Sequence, residues 1–142
     1  MAAATSKEWL AAHPPPDSAF SQTLALVADR VRAGEDVRFA AREFLDEFDL
    51  LPRDDLRARA IEARPKPTGE SHADAYLGAL AEHLAATREL ERPDWAVEPE
   101  RFLDRFWFVS EVRGFRALAI AQSPAAFRRR GIFIADGALQ RV

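Results

Sequence analysis

The histidines His13, His72 and His83 and several groups of carboxylates are the side chains here whose types suit metal or acid–base chemistry. His72 and His83 fall on similar faces of one expected helix. At a rise of 1.5 Å per residue they stand about 16 Å apart, too far to share an ion whose ligands lie near ~2 Å. His13 abuts Pro14-Pro15-Pro16, and no HExxH or ExxH spacing occurs. Glu43, Asp46 and Glu47, followed by Asp49, Asp54 and Asp55, could serve hydrolysis or a divalent cation only if they converged in a cleft. Their spacing instead puts them on the polar face of one amphipathic helix and at the start of the next. Ser71, His72 and Asp74 carry the letters of a nucleophilic triad, but neighbours on one helix cannot align nucleophile, base and orienter. The six glycines are scattered singly, which excludes a glycine-rich phosphate loop, and cysteine is absent. The sequence therefore predicts no enzyme: no catalytic residue, no metal and no cofactor.

The elements that would position these side chains read as helices. Thr5 and Glu8 have capping-box spacing before Trp9 and Leu10, and the proline run ends that short helix. A second helix is expected from about Ser18 to Ala33, with Phe20, Leu24, Val27 and Val31 on one stripe and Gly34 as its stop. Asp36 caps a third, in which Val37, Ala40, Ala41, Phe44, Leu45 and Phe48 form a wide apolar face and Phe39 points the other way. A fourth starts near Pro52, with Asp54 and Asp55 in its first turn and Arg64 at its end, as the helix dipole favours.

Arg64 to Glu70 (RPKPTGE) reads as a linker. Ser71 then opens a long helix to about Arg88, with Ala73, Tyr76, Leu77, Leu80 and Leu84 inward. Pro99 begins a helix holding Phe102, Leu103 and Phe106. Another spans Ser110 to Gln122, and Ser123-Pro124 starts a last one that Gly131 ends. Phe106 to Val109 and Ile132 to Ile134 resist the helical reading, being short, apolar and rich in strand-favouring residues; they could pair as a minor sheet. The expected fold is all-α: one domain built as a bundle of about seven helices, with an N-terminal half to about residue 64, a linker over 64–70 and an aromatic C-terminal half over 71–142.

A chain of 142 residues with 48% hydrophobic residues can bury a real core without disulfides. The N-terminus lacks the basic start and apolar run of a secretory signal, and no apolar stretch approaches the ~20 residues that span a bilayer, so the expectation is a cytoplasmic protein with no membrane role. The net charge of −3 is unevenly spread: residues 110–142 carry six basic and two acidic side chains, leaving the rest of the chain strongly acidic. An acidic body is a poor general platform for nucleic acid. The helix ending at Phe48 and the one from Pro52 do outline a helix-turn-helix, with Arg53, Arg57, Arg59 and Arg64 available for phosphates, but Asp54 and Asp55 stand where a recognition helix would enter the groove.

Eight of the fourteen aromatics lie between Trp95 and Phe133. They form either a second core or a docking surface beside Arg128, Arg129 and Arg130. Aromatics and arginine dominate binding hot spots, and arginine forks suit acidic partners. On that reading Arg128, Arg129, Arg130, Trp107 and Phe127 are the candidate partner-binding residues. Part of the arginines' role could equally be to complement the dipole of the helix they end.

REFLDEF (Arg42 to Phe48), LGALAEHLA (Leu77 to Ala85), RFLDRFWF (Arg101 to Phe108) and SPAAFRRRGIFI (Ser123 to Ile134) together resemble a poorly characterised family of actinobacterial helical proteins. The resemblance covers most of residues 20–142. Members of that family occur alone or behind a helix-turn-helix segment in regulator-like proteins, in association with nucleotidyltransferase-like toxins. The resemblance implies an antitoxin-like protein that binds and neutralises a partner toxin. A DNA-binding transcriptional regulator, and an enzyme or small-ligand binder using an aromatic C-terminal pocket, are the alternatives.

Overall fold

A computed structural model describes residues 22–110, 112–135 and 139. The expected helix around Trp9, and residues 18–21 of the second, lie outside the described residues; Gln22 and Thr23, expected inside the second helix, precede it. Helix α1 (Leu24–Arg32) starts at Thr23, whose side-chain oxygen accepts the Leu26 amide, and ends before Gly34 at φ +109°. Helix α2 (Val37–Leu50) is capped by Asp36, which accepts the Arg38 amide. The six apolar positions of its expected face are all buried, while Phe39 is exposed. Helix α3 (Asp54–Glu62) carries Asp54 and Asp55 in its first turn.

Helix α4 (Ser71–Thr87) is the centre of the molecule. Ala73, Tyr76, Leu77, Leu80 and Leu84 are buried as their stripe requires, and so are Ala75, Gly78, Ala79, Ala81 and Ala85 on the other sides. A helix apolar all round is a helix with neighbours all round. Helix α1 packs on it, as do two single 3₁₀ turns (Asp94–Val97 and Pro99–Arg101) and the short helix α6 (Ala125–Arg128). One buried cluster runs from Leu24 to Ile134 and draws on residues both before and after the 64–70 connector. That connector is fastened: Pro65 is fully buried, Arg64 pairs with Glu98 at 2.8 Å, and the Thr68 amide and hydroxyl both donate to Asp74.

Gly78 marks the tightest approach. A Cβ there would stand 2.8 Å from Arg101 Cβ and 3.0 Å from the Ala96 carbonyl oxygen. Gly78→Ala gains roughly 1 kcal/mol of helix propensity. Displacing Arg101 outweighs that gain, and a net loss of about 1–2 kcal/mol in denaturant unfolding is expected from overpacking. A stabilised variant would show that the turn yields.

The C-terminal third departs from the helical expectation. Only Pro99–Arg101 forms a turn; Phe102 is already extended, and the chain runs into strand β1 (Trp107–Phe108). Strand β2 (Ile132–Phe133) pairs with it in parallel, Trp107 opposite Ile132 and Phe108 opposite Phe133. The Leu103, Trp107 and Val109 amides donate to the carbonyls of Arg130, Gly131 and Phe133, so distant partners take the hydrogen bonds a helix from Pro99 would have used. The element expected from Ser110 is reduced to a 3₁₀ turn (Arg113–Phe115) leading into α5 (Arg116–Gln122). Ser123 is no helix cap: its hydroxyl accepts the Ile134 amide at 2.9 Å and donates to the Ala119 carbonyl, tying α5 to the strand pair. Gly131, at φ +81°, ends the last turn as expected. The described fold is mostly helical, with six α-helices and one minor parallel pair.

Candidate docking surface

The residues singled out near the C-terminus do not form one exposed patch. Phe127 is fully buried, its ring edge-on to Tyr76 with centroids 5.3 Å apart. Arg130 is also buried. Its guanidinium donates to Glu82 at 2.8 Å, to the Ala96 carbonyl at 2.6 Å and to the Ala126 carbonyl at 2.7 Å, and lies over the Phe102 ring. These two residues are interior, which corrects their assignment to a partner-binding surface: Arg130 turns inward because Glu82 of α4 and an otherwise bare carbonyl await it.

Arg129, about half exposed, reaches the same Glu82 oxygen at 2.6 Å and also covers Phe102. Arg128 is exposed, and its guanidinium donates to the Ser123 carbonyl. Trp107 is half-buried and stacks face-on with His72 at 4.4 Å. Arg129 and Arg130 thus staple the last turn to α4, while Arg128 stays on its own segment.

Burial pushes the Glu82 carboxyl upward, but hydrogen bonds from Arg130 and Arg129, together with their charges, prevail and hold it below its ordinary value of 4.5. A carboxyl depressed in the folded state stabilises above its unfolded pKa and loses that contribution as pH falls through the depressed value. The stability difference between wild type and Glu82→Gln is therefore expected to shrink as pH is lowered from neutral to about 3. A difference independent of pH, measured by thermal unfolding, would place the pair's contribution elsewhere.

The chemistry-bearing residues do not converge. His72 is taken by Trp107, and the His83 ring lies edge-on to Phe127. Among the described residues no group of three or more histidines and carboxylates is placed to hold a metal ion. Burial raises the Tyr76 phenol to about 12, so it remains protonated at neutral pH. The helix-turn-helix outline brings little free charge: Arg53 pairs with Asp55, Arg57 is half-buried between Asp54 and the Leu51 carbonyl, and Arg64 is held by Glu98. A cleft of about 660 Å³ lies between the starts of α2 and α4. Its lining mixes Glu35, Asp36 and Glu70 with Arg38 and His72, and Arg38 already donates to Asp36 and the Val109 carbonyl.

The exposed apolar surface lies elsewhere. Helix α5 reads RALAIAQ and buries only Ala119; Leu118 and Ile120, on opposite flanks, are both exposed. Val112 and Phe115 precede it, also exposed. The patch continues into the strand pair: the Arg116 guanidinium lies 5.1 Å from the Phe108 ring centroid, Phe108 stacks on Phe133, and Phe133 meets the edge of Phe106, which is 76% exposed. Among the described residues Arg105 and Arg113 make no ion pair, and Arg116 has only that ring. None of these residues was among the five candidate partner-binding residues read from the sequence. The available signal was the apolar run Leu118 to Ala121, which offers no polar face to solvent. Among the described residues, no helix is long and apolar enough to cross a membrane. Comparison with known protein families, curated proteins and solved structures finds no match.

Proposed function

We propose that this chain is a non-enzymatic, antitoxin-like cytoplasmic protein that neutralises a partner toxin by covering its active surface. The observation that supports this reading is the set of exposed apolar side chains Phe106, Val112, Phe115, Leu118 and Ile120, grouped along one segment around the half-buried Phe108. Exposed apolar residues scattered singly are ordinary, but their concentration along one segment beside arginines is the composition of a protein-binding hot spot. The resemblance to helical proteins associated with nucleotidyltransferase-like toxins supplies the partner class. Docking moves from Phe127 and Arg130, which are interior, to α5 and its flanks.

The test is co-expression with the product of the neighbouring gene, followed by co-purification and a growth assay. Wild type is expected to form a stable complex and relieve toxicity, and Leu118→Glu to lose both while keeping its unfolding midpoint. Absence of any complex, together with steeply salt-dependent binding to its own promoter, would replace this reading with the transcriptional regulator.

A further inference from the structure

Resting on that binding-protein reading, we infer that the surface formed by α5 and the strand pair takes a protein partner whose contact face is apolar at its centre and acidic at its rim. Charge complementarity carries the choice. From Arg105 to Ala135 the sequence holds six arginines and a single acid, Glu111. Two of the six, Arg129 and Arg130, are spent on Glu82, and Arg128 on a carbonyl. Arg105, Arg113 and Arg116 are exposed, and among the described residues they have no carboxylate partner. Elsewhere arginines are commonly matched, as with Arg30 to Glu35 and Glu43, Arg38 to Asp36 and Arg88 to Asp49. Arg42 and Arg92 also stand exposed without a carboxylate among the described residues, but Arg105, Arg113 and Arg116 are the three that flank exposed Phe106, Phe115 and Leu118. Planar guanidinium forks beside apolar side chains match carboxylates that edge an apolar stripe, and they repel a basic rim.

An anionic membrane would offer the same two chemistries, but the fit is poorer. Polybasic membrane attachment draws on about 4–8 basic residues. Three are available here, on a molecule whose net charge of −3 opposes approach to a negative leaflet. The rings of Phe106, Phe108 and Phe133 are also fixed against one another by the strand pair, giving a surface of defined shape.

The experiment titrates the full chain with two synthetic amphipathic peptides that share one leucine stripe, edged by glutamates in one and by lysines in the other. The glutamate peptide is expected to bind roughly tenfold more tightly at low ionic strength, with the preference shrinking as salt screens exposed pairs. Arg113→Glu with Arg116→Glu is expected to invert the preference, and Arg113→Gln with Arg116→Gln to abolish it, both without moving the unfolding midpoint. Leu118→Glu is expected to weaken both peptides. Equal binding of the two peptides, or a preference that survives charge reversal, overturns the inference. So does binding to phosphatidylglycerol vesicles in place of the peptides. Self-association lost on Leu118→Glu would assign the surface to a second copy, and cross-links from residues 1–21 to Leu118 would assign it to the chain's own N-terminus; either overturns the inference. A toxin complex indifferent to the charge reversals leaves the binding-protein reading standing and removes the acidic rim. Selective capture of the glutamate peptide with no toxin complex does the reverse.

Discussion

Arg130→Ala is expected to lower the unfolding free energy by about 3–5 kcal/mol, the range found when one partner of a buried ion pair is deleted. The loss has three parts in the structure. Glu82, largely buried, keeps only Arg129, a half-exposed donor. The Ala96 carbonyl, which receives Arg130 at 2.6 Å, is left without that donor in an apolar setting. The Phe102 ring loses the nearer of the two guanidiniums that cover it. Arg130→Leu fills the space and removes one buried charge, so an intermediate loss is expected, since the carbonyl and Glu82 remain short of a donor. Denaturant unfolding of both variants checks the ordering. If Arg130→Ala cost less than about 0.5 kcal/mol, as ordinary exposed substitutions do, the guanidinium would be a surface group.

Phe127→Ala is expected to cost a similar amount, about 3–5 kcal/mol, because a fully buried phenylalanine leaves both lost transfer energy and a cavity. The ring fills the seam where the last helical turn meets α4, against Tyr76 and His83. Phe115→Ala, at an exposed position, is expected to fall within about 0.5 kcal/mol of wild type. The pair of variants separates two kinds of aromatic residue that the sequence presents alike. Loss of partner binding in Phe127→Ala would follow from unfolding, whereas loss in Phe115→Ala would report the surface directly. Equal stability of the two variants would contradict the burial of Phe127.

Local information sufficed where the periodic stripe and the cap agreed. Asp36 and the spacing from Val37 to Phe48 define α2 almost completely, and the inner face of α4 follows from Leu77, Leu80 and Leu84. What local pattern cannot carry is partnership across the chain. Phe102, Leu103 and Phe106 have helical spacing, yet Arg101 is anchored by the carbonyls of Asp74 and Pro65, and the following amides are claimed by residues 130–133. Such distant partners override a propensity worth only tenths of a kilocalorie per residue. The arginine triplet was legible as charge, but whether it faced water depended on where Glu82 would stand. The burial of Leu80 and Leu84 needed only the stripe; the exposure of Leu118 and Ile120 needed the knowledge that none of the described residues covers them.

The parallel pairing of Trp107 with Ile132 also sets an order of events during synthesis. Parallel strands cannot close through a tight hairpin, so β1 must wait for the whole crossover to be made. The two partners lie 25 residues apart in register, and at ribosomal rates of about 5–20 residues per second that wait lasts roughly 1–5 s. Until residues 129–133 exist, the Trp107 and Val109 amides lack their acceptors and Glu82 has neither arginine. The same short stretch, Arg129 to Phe133, supplies both the arginines of Glu82 and the partner strand of Trp107, so the central helix and β1 depend for their covering on one late segment of the chain.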